Sequence, residues 1–271
     1  MRGLGRTSFC IRVVVPFILP AGLLWFPYSP SRAEENAGPD GVAALEQPSW
    51  QVGDSWVVET LTQRVQGRED KTAGREPRVR WEFRVAKIEK VADSDCFRLE
   101  VRCLAQGRIR PQSTLWCDQK TLFLRQFETQ IAFNGQYRTV QESYSCAKGS
   151  TSPVMTFVNV LPVAMPAFLP GGAKGGETFS YVSQPIPPGA KDTGIIRFTH
   201  EMKQEQRAPG SKSLDQLPTA SAEKLDAKSA VEVTLADSRR SLVQLWQKGA
   251  PWPIYADDGR TKAWLVSKES Q

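Results

Sequence analysis

The stretch Val79-Arg80-Trp81-Glu82-Phe83-Arg84-Val85 alternates strictly between apolar and charged side chains. Successive side chains of a β-strand point to opposite faces, so this stretch predicts a strand with one buried and one solvated face. The segments from Phe97 to Cys103 and from Val231 to Leu235 repeat the pattern. Clear helical periodicity is lacking over long segments. The chain is therefore predicted to be mainly antiparallel β.

Short turns connect the predicted strands into a meander. Asn134-Gly135 and Asp258-Gly259 each lie between two strand-like runs. Such dipeptides favour two-residue hairpin loops, because both central residues of a type I′ turn need positive φ. The segments 118–121 and 106–107 predict two further turns. Together these turns predict a single curved antiparallel sheet, an open or half β-barrel, with few short helices.

The register of this meander bears on the cysteines. Two-residue loops would place one row across the sheet: Phe97, Trp116, Phe123 and Cys146. The next row would begin with Cys96 opposite Cys117, within reach of a disulfide. Pro111 does not fit a central strand, and a longer loop around it would favour a bond between Cys103 and Cys117 instead. Both pairings stay open at this point.

The first 33 residues have the parts of a secretory signal peptide. The start is basic, an apolar run extends from Val13 to Phe26, and Ser31-Arg32-Ala33 has small residues at positions −3 and −1. We predict cleavage after Ala33. An uncleaved membrane anchor is the alternative, but prolines interrupt the run and it is short for a span. We therefore expect a secreted, periplasmic or cell-envelope protein with no transmembrane span after cleavage.

Loss of this segment changes the charge and the cysteine count. The chain of 271 residues has 35 Lys and Arg, 29 Asp and Glu, and a formal net charge of +6. Four arginines leave with residues 1–33, so 31 basic and 29 acidic residues remain, a net charge of +2. Five cysteines become four, an even number typical of disulfides in exported proteins. Since glutamates also alternate with the strand arginines, we expect no nucleic-acid binding.

We interpret the mature chain as one domain. Residues 34–48 are small, polar and acidic, and they predict a flexible arm. Residues 49–271 are predicted to form a single antiparallel β domain. Within it, residues 203–229 are poor in large apolar groups and predict a mobile surface insertion. The best candidates for short helices are residues 221–228 and 238–247.

Motifs of catalysis are scarce in this sequence. It has no nucleophile elbow, zinc-protease motif, Walker loop or paired Cys-x-x-Cys. His200, the single histidine, shares the apolar face of a predicted strand, where it would be a core or rim residue or a general base. Asp257-Asp258 lies at a predicted turn, where Asp is favoured. We predict no enzyme, no cofactor and no metal site, with a hydrolase using His200 or a carboxylate pair as the alternative.

Aromatic side chains on the strands give the main functional hypothesis. An ordinary closed core is one interpretation of them. The other is that the concave side of the curved sheet forms an apolar pocket for a lipid or acyl chain. The candidate ligand-binding residues are Trp81, Phe83, Phe97, Trp116, Phe123 and His200.

One hairpin carries a family resemblance. Its residues are Leu115-Trp116-Cys117-Asp118-Gln119-Lys120-Thr121-Leu122-Phe123-Leu124-Arg125, and Val52-Gly53-Asp54-Ser55-Trp56 supplies a first-strand entry. With these, the region from Trp50 to Ser145 resembles the half-barrel of the bacterial outer-membrane lipoprotein carrier superfamily. That resemblance implies a periplasmic or outer-membrane-associated protein with an apolar cavity closed by helices. The four cysteines, the 203–229 insertion and the lack of a clear lid helix depart from that pattern.

These observations favour an exported, non-catalytic binding protein of the cell envelope. Its partner would be an apolar small molecule or another envelope protein. A structural interaction module is a further alternative, in which exposed edge strands and the hairpin of Trp252 and Trp264 bind another protein.

Overall fold

The computed structural model describes residues 45–62, 78–104, 112–133, 136–146, 178–186, 197–218, 225–226, 228–238 and 241–269. The predicted signal peptide, most of the predicted arm, the 106–107 turn and most of the 221–228 helix candidate lie outside these residues.

Twelve strands and one short helix lie within the described residues. In chain order they are β1 Ser55–Thr62, β2 Arg78–Val91, β3 Ser94–Cys103, β4 Gln112–Asp118, β5 Leu124–Phe133, β6 Gln136–Cys146, β7 Thr178–Ile186, β8 Phe198–Arg207, α1 Ser211–Leu214, β9 Ala230–Ala236, β10 Ser241–Gln247, β11 Tyr255–Asp257 and β12 Thr261–Glu269. The prediction of a mainly β chain with few helices is confirmed. The helix predicted over 238–247 is wrong: β10 occupies it, with Leu242, Gln244 and Trp246 buried at alternate positions.

The sheet is a closed barrel. Each strand pairs antiparallel with the next one in the chain, and β12 pairs along the free edge of β1, from Thr62 opposite Thr261 to Ser55 opposite Glu269. The antiparallel meander is therefore confirmed, but the open or half barrel is wrong. Alternation within a strand fixes its buried face and gives no information on whether the first and last strands meet. Closure leaves neither β1 nor β12 a free edge for adding a further strand.

The barrel interior forms the larger of two apolar clusters, which we call the inner core. In β2, Trp81, Phe83 and Val85 are buried inside, while Arg80 and Arg84 are exposed outside. A twelve-stranded barrel is wider than an eight-stranded one, whose interior is just filled by wall side chains. Here two segments outside the strands contribute further rings, Trp50 ahead of β1 and Trp252 between β10 and β11.

The second cluster lies on the outer face of β9 to β12, and we call it the outer cluster. Its buried members are Leu217, Ala230, Leu245, Ile254, Tyr255 and Trp264. Part of the predicted 203–229 insertion covers it: residues 203–207 belong to β8, while Leu214, Leu217 and Leu225 pack on the cluster. The insertion therefore contributes apolar contacts despite its polar composition.

The strand register differs from the prediction at two hairpins and matches it at a third. Phe133 lies opposite Gln136, which is the predicted register, while the predicted Asn134-Gly135 turn itself lies outside the described residues. Between β4 and β5, however, Cys117 lies opposite Leu124, because Asp118 closes a longer loop in which Leu122 has a φ of 55°. Between β3 and β4, Phe97 lies opposite Cys117 rather than Trp116. The predicted row of Phe97, Trp116, Phe123 and Cys146 is therefore wrong.

The predicted disulfides are not present in the structure, where Cys96, Cys103 and Cys117 are free, buried thiols. Phe97 opposes Cys117 and shares its face, so Cys96, the next residue along the strand, points to the other face. Cys103 lies six residues along β3 from Phe97. Six residues span about 20 Å of strand, well beyond the reach of a disulfide. Cys146 lies opposite Tyr181 in the ladder of β6 and β7.

Candidate binding site in the barrel interior

The structure brings most of the predicted site residues together. Trp81, Phe83, Phe97 and Phe123 are all buried in the inner core. Trp116 lies on the outer face opposite Arg98, and its indole donates a hydrogen bond to Glu89. A register shift of one residue moves a side chain to the other face of a sheet, which is why the prediction for Trp116 is wrong. For His200 the structure gives the backbone pairing with Tyr181; its side chain is outside the described set.

An aromatic stack occupies the inner core. The rings of Trp56 and Phe83 are parallel to within 6° and their centroids are 5.7 Å apart. Trp50 stacks on Trp56 at 5.4 Å. Trp252 contacts all three, with centroids 4.6 Å from Phe83, 5.6 Å from Trp56 and 6.4 Å from Trp50. Aromatic pairs contribute about 0.5–1.5 kcal/mol each beyond burial, so the loop that carries Trp252 is held firmly inside.

The inner tryptophans fall into two groups according to their indole N–H. Those of Trp50, Trp81 and Trp246 have acceptors: Pro251 O at 2.9 Å, Thr60 Oγ1 at 3.0 Å and Gln244 Oε1 at 3.3 Å. Those of Trp56 and Trp252 are buried without any hydrogen-bond partner.

Gln204 also has a buried N–H group without a hydrogen-bond partner. It is 2% exposed, its Nε2 has no hydrogen-bond partner, and it lies opposite Leu235 of the inner core. Sequence analysis missed Trp56, Trp252 and Gln204 as site residues. The alternation of Met202 and Gln204 with Lys203 and Glu205 marks the inward face of β8, but nothing local to a sequence reveals a missing acceptor.

Hydroxyl groups and one carboxylate line the wall formed by β4, β5 and β6. The hydroxyls of Ser113 and Thr129 lie 2.6 Å apart, and the Tyr144 hydroxyl donates to Glu142 Oε2 at 3.1 Å. Because Glu142 faces Phe127 across the ladder, it shares the inward face. This wall is therefore more polar than the aromatic stack.

The inward face of β8 is exposed to solvent at the first residue of the strand. Phe198 lies opposite the buried Ser183, which itself lies opposite Tyr144 of the inner core. Opposed residues share a face of the sheet, so Phe198 is on the inward face, yet it is 49% exposed. The rim of the barrel near Phe198, Ser183 and Glu142 therefore has an apolar side chain that is open to solvent.

The charged outer face is engaged in ion pairs. Arg78 and Arg80 both contact Glu59, at 2.7 and 3.1 Å, and Arg102 contacts Glu82. Burial opposes ionisation of Glu59, but the two guanidinium groups outweigh it and lower the pKa of this carboxyl. A pocket of about 240 Å³ lies nearby, with Arg98, Glu100 and Arg102 among its lining residues. Mixed charges of this kind are typical of a solvent-facing sheet.

The hairpin that carries the family resemblance is built around Asp118. Its carboxylate accepts hydrogen bonds from the backbone N–H of Lys120 and Thr121, from the Thr121 hydroxyl and from Arg125, at 3.0 to 3.2 Å. Burial opposes ionisation, but these bonds outweigh it and lower the pKa of Asp118. The loop they close places Leu122 and Phe123 in the inner core. The motif therefore has a local structural role.

The buried thiols are poor nucleophiles. Burial, reinforced by Asp118, raises the pKa of Cys96 to about 11, and burial raises the pKa of Cys117 well above its ordinary value. Both are protonated at neutral pH, and the thiolate is the reactive form.

Within the described residues, no cluster of three or more His, Cys, Asp or Glu side chains offers a metal site. No helix in this part of the chain is both long and apolar enough to cross a membrane.

The predicted interaction hairpin has both of its tryptophans buried. Trp252 belongs to the inner core and Trp264 to the outer cluster.

No family model matches the chain, and no curated protein or solved structure matches it. The resemblance to the lipoprotein carrier superfamily stays a prediction.

Proposed function

We propose that this protein is an exported, non-catalytic binding protein of the cell envelope that holds a small, largely apolar ligand inside its barrel. The observation that carries the proposal is the buried aromatic interior, in which polar N–H groups lack partners next to the stacked rings. Ligand sites are typically lined by apolar and aromatic side chains with a few placed polar groups, and the inner core has residues of both kinds.

Export is the part of the proposal that rests on the N-terminal sequence. Residues 1–33 combine a basic start, an apolar run and a small-residue cleavage site after Ala33.

Binding is favoured over catalysis by the state of the buried thiol in the inner core. Burial raises the pKa of Cys117 well above its ordinary value, so this thiol is protonated at neutral pH. The thiolate is the nucleophilic form of cysteine. Cys117 is therefore a poor nucleophile, and binding is the simpler function for the interior.

The test is native mass spectrometry of protein purified from its own cell envelope. We expect an N-terminus at residue 34, a fraction enriched in the envelope, and a co-purifying small molecule released on unfolding. A Phe198→Asp variant should lower its occupancy, because a charge at the rim disfavours entry of an apolar molecule. Val266→Asp is the matched control, since this valine on β12 is 48% exposed. A cytoplasmic protein that begins at Met1 and carries no small molecule would contradict the proposal.

A further inference from the structure

We infer that the ligand is a neutral molecule with carbonyl or ether oxygens and few hydrogen-bond donors, recognised by the N–H groups of Trp56, Trp252 and Gln204. The inference rests on the proposed function and specifies the chemistry of the same site.

The first step concerns whether the buried groups without partners are hydrogen-bond donors or acceptors. Trp56, Trp252 and Gln204 are 0%, 1% and 2% exposed, and the partnerless atom of each is an N–H donor. Native proteins leave few buried polar atoms without partners, and such exceptions call for an explanation. An acceptor that enters the barrel would satisfy these donors, whereas another donor would not.

The second step explains why the barrel wall does not supply that acceptor. The backbone C=O and N–H groups of the strands bond within the sheet ladders, which lie in the wall itself. An interior donor therefore depends on side chains or on an inserted loop. Trp50 illustrates the second route, because its N–H reaches the carbonyl of Pro251 in the loop that also carries Trp252.

The third step concerns the charge of the ligand. The buried residues of the described chain include no Lys or Arg, and those of the inner core include Val58, Phe83, Met202 and Leu235. An anion placed there would lose its hydration without a cation to compensate, at a large cost. A neutral acceptor avoids that cost. Carboxylates and phosphates are therefore disfavoured relative to esters, ketones and ethers.

The fourth step concerns donors on the ligand. The acceptors beside the stack already receive indole N–H groups: Thr60 Oγ1 from Trp81, Gln244 Oε1 from Trp246 and Pro251 O from Trp50. Beside the stack, a ligand hydroxyl would have to share these acceptors with the indoles, while a carbonyl would complement the donors of Trp56 and Trp252. The rings of Phe83 and Trp252, 4.6 Å apart, would contact the apolar body.

The experiment compares probes that share an apolar chain and differ in one group. The protein is the delipidated mature chain that begins at residue 34. It is titrated with methyl dodecanoate, dodecane or dodecanoate, and binding is followed by isothermal titration calorimetry. We expect the ester to bind at least tenfold more tightly than dodecane or dodecanoate, a difference of about 1.4 kcal/mol. An ester that binds no better than the alkane, or worse than the carboxylate, would overturn the inference.

Variants assign that preference to the three donors. Trp56→Phe, Trp252→Phe and Gln204→Leu each remove an N–H and keep most of the buried volume. Each should weaken ester binding about tenfold and leave dodecane binding unchanged. Trp50→Phe is the matched control: it belongs to the same stack, but its N–H already has an acceptor, so ester and alkane binding should change together.

A stability measurement keeps the inference testable where a variant binds poorly for another reason. Without ligand, Gln204→Leu should be as stable as the parent protein or more stable, because it deletes an unmet donor, whereas Trp50→Phe should be less stable. Loss of stability in Gln204→Leu, or ordered waters on all three N–H groups with no ester preference, would overturn the inference. Failure of every probe together with absence of any native ligand would instead contradict the proposed function itself.

Discussion

The inner core and the outer cluster use opposite faces of the same strands, β9 to β12, but they differ in how their polar groups are satisfied. In the outer cluster, the Trp264 indole donates to Gln216 O at 2.9 Å, and the Tyr255 hydroxyl donates to Asp257 at 3.0 Å. In the inner core, Trp56, Trp252 and Gln204 have N–H groups without acceptors. The apolar side chains of both clusters are thus largely buried, whereas only the outer cluster has a partner for the indole N–H and the phenol O–H among its members.

The physical cause lies in what covers each cluster. The outer cluster is covered by the chain segment around α1, whose turns have carbonyl groups that are not committed to a sheet ladder. The inner core is enclosed by strands whose carbonyls are committed to their neighbours. A closed barrel therefore restricts the acceptors available to interior donors.

The largest difference between the clusters should appear when the same substitution is made in both. Leu115 of β4 is fully buried in the inner core, and Leu245 of β10 is fully buried in the outer cluster. Leu→Ala changes in cores cost about 2–5 kcal/mol, depending on how far the site collapses. We expect the loss of stability in Leu115→Ala to lie near the upper end of this range, because the ladders with β3 and β5 hold β4 in place. We expect Leu245→Ala near the lower end, because the α1 segment can settle onto the cavity.

Urea unfolding of both variants and the parent protein measures this difference. Equal losses would show that the covering segment is as rigid as the barrel wall, and a larger loss for Leu245→Ala would reverse the comparison.

The second prediction concerns the carboxylate that anchors the covering segment. Glu232 has no exposed side-chain surface, and it accepts from Arg207 Nε at 2.7 Å and from the Gly210 N–H at 3.1 Å. Burial disfavours its charged form, but bonds from Ser213, Arg207 and Gly210 outweigh burial and lower its pKa. Its folded pKa is then below its unfolded pKa. The stabilisation is therefore fully present above the unfolded pKa of about 4.3 and is lost as the pH falls through the folded value.

Glu232→Gln removes this contribution. We expect a loss of about 1–3 kcal/mol at pH 7 and a shallower decline of stability below pH 4.5, measured by urea unfolding across pH. Glu205→Gln is a suitable control, because that carboxylate is exposed and its pairing with Lys203 should contribute little. An unchanged pH profile in Glu232→Gln would show that the anchor does not act through its charge.

The smallest effect is expected in the hairpin that joins β11 and β12, whose Tyr255 and Trp264 belong to the outer cluster. Gly259 has a φ of +80°, and a Cβ built there would meet no atom within 4 Å. Gly259→Ala should therefore cost about 1 kcal/mol through backbone strain alone. Gly210, whose φ is −79°, is the matched position, and Gly210→Ala should be neutral or slightly stabilising. Similar losses at both positions, by thermal unfolding, would argue against a backbone origin.

Local patterns explain which parts of the architecture were predictable. The alternation from Val79 to Val85 and the Asn134-Gly135 dipeptide specify a strand and a hairpin through the neighbouring residues alone. The face of Trp116 was mispredicted because the register between β3 and β4 differs from the prediction by one residue, which places Phe97 opposite Cys117. The same sensitivity explains the wrong pairing of Cys96 with Cys117.

Burial in the inner core was partly predictable and its hydrogen bonding was not. Trp81, Phe83, Phe97 and Phe123 lie on or beside alternating strands, so their burial follows from periodicity. The missing acceptors of Trp56, Trp252 and Gln204 depend on residues from strands far apart in the chain, which only the closed barrel brings together.

The sequence by itself determined the antiparallel strands and their apolar faces, because side-chain period and turn chemistry act over a few residues. The tertiary structure alone decided that β1 meets β12, that Trp50 and Trp252 enter the interior, and that the α1 segment covers the outer cluster. Those outcomes depend on contacts between distant segments, whose free energy is set by how well whole surfaces fit.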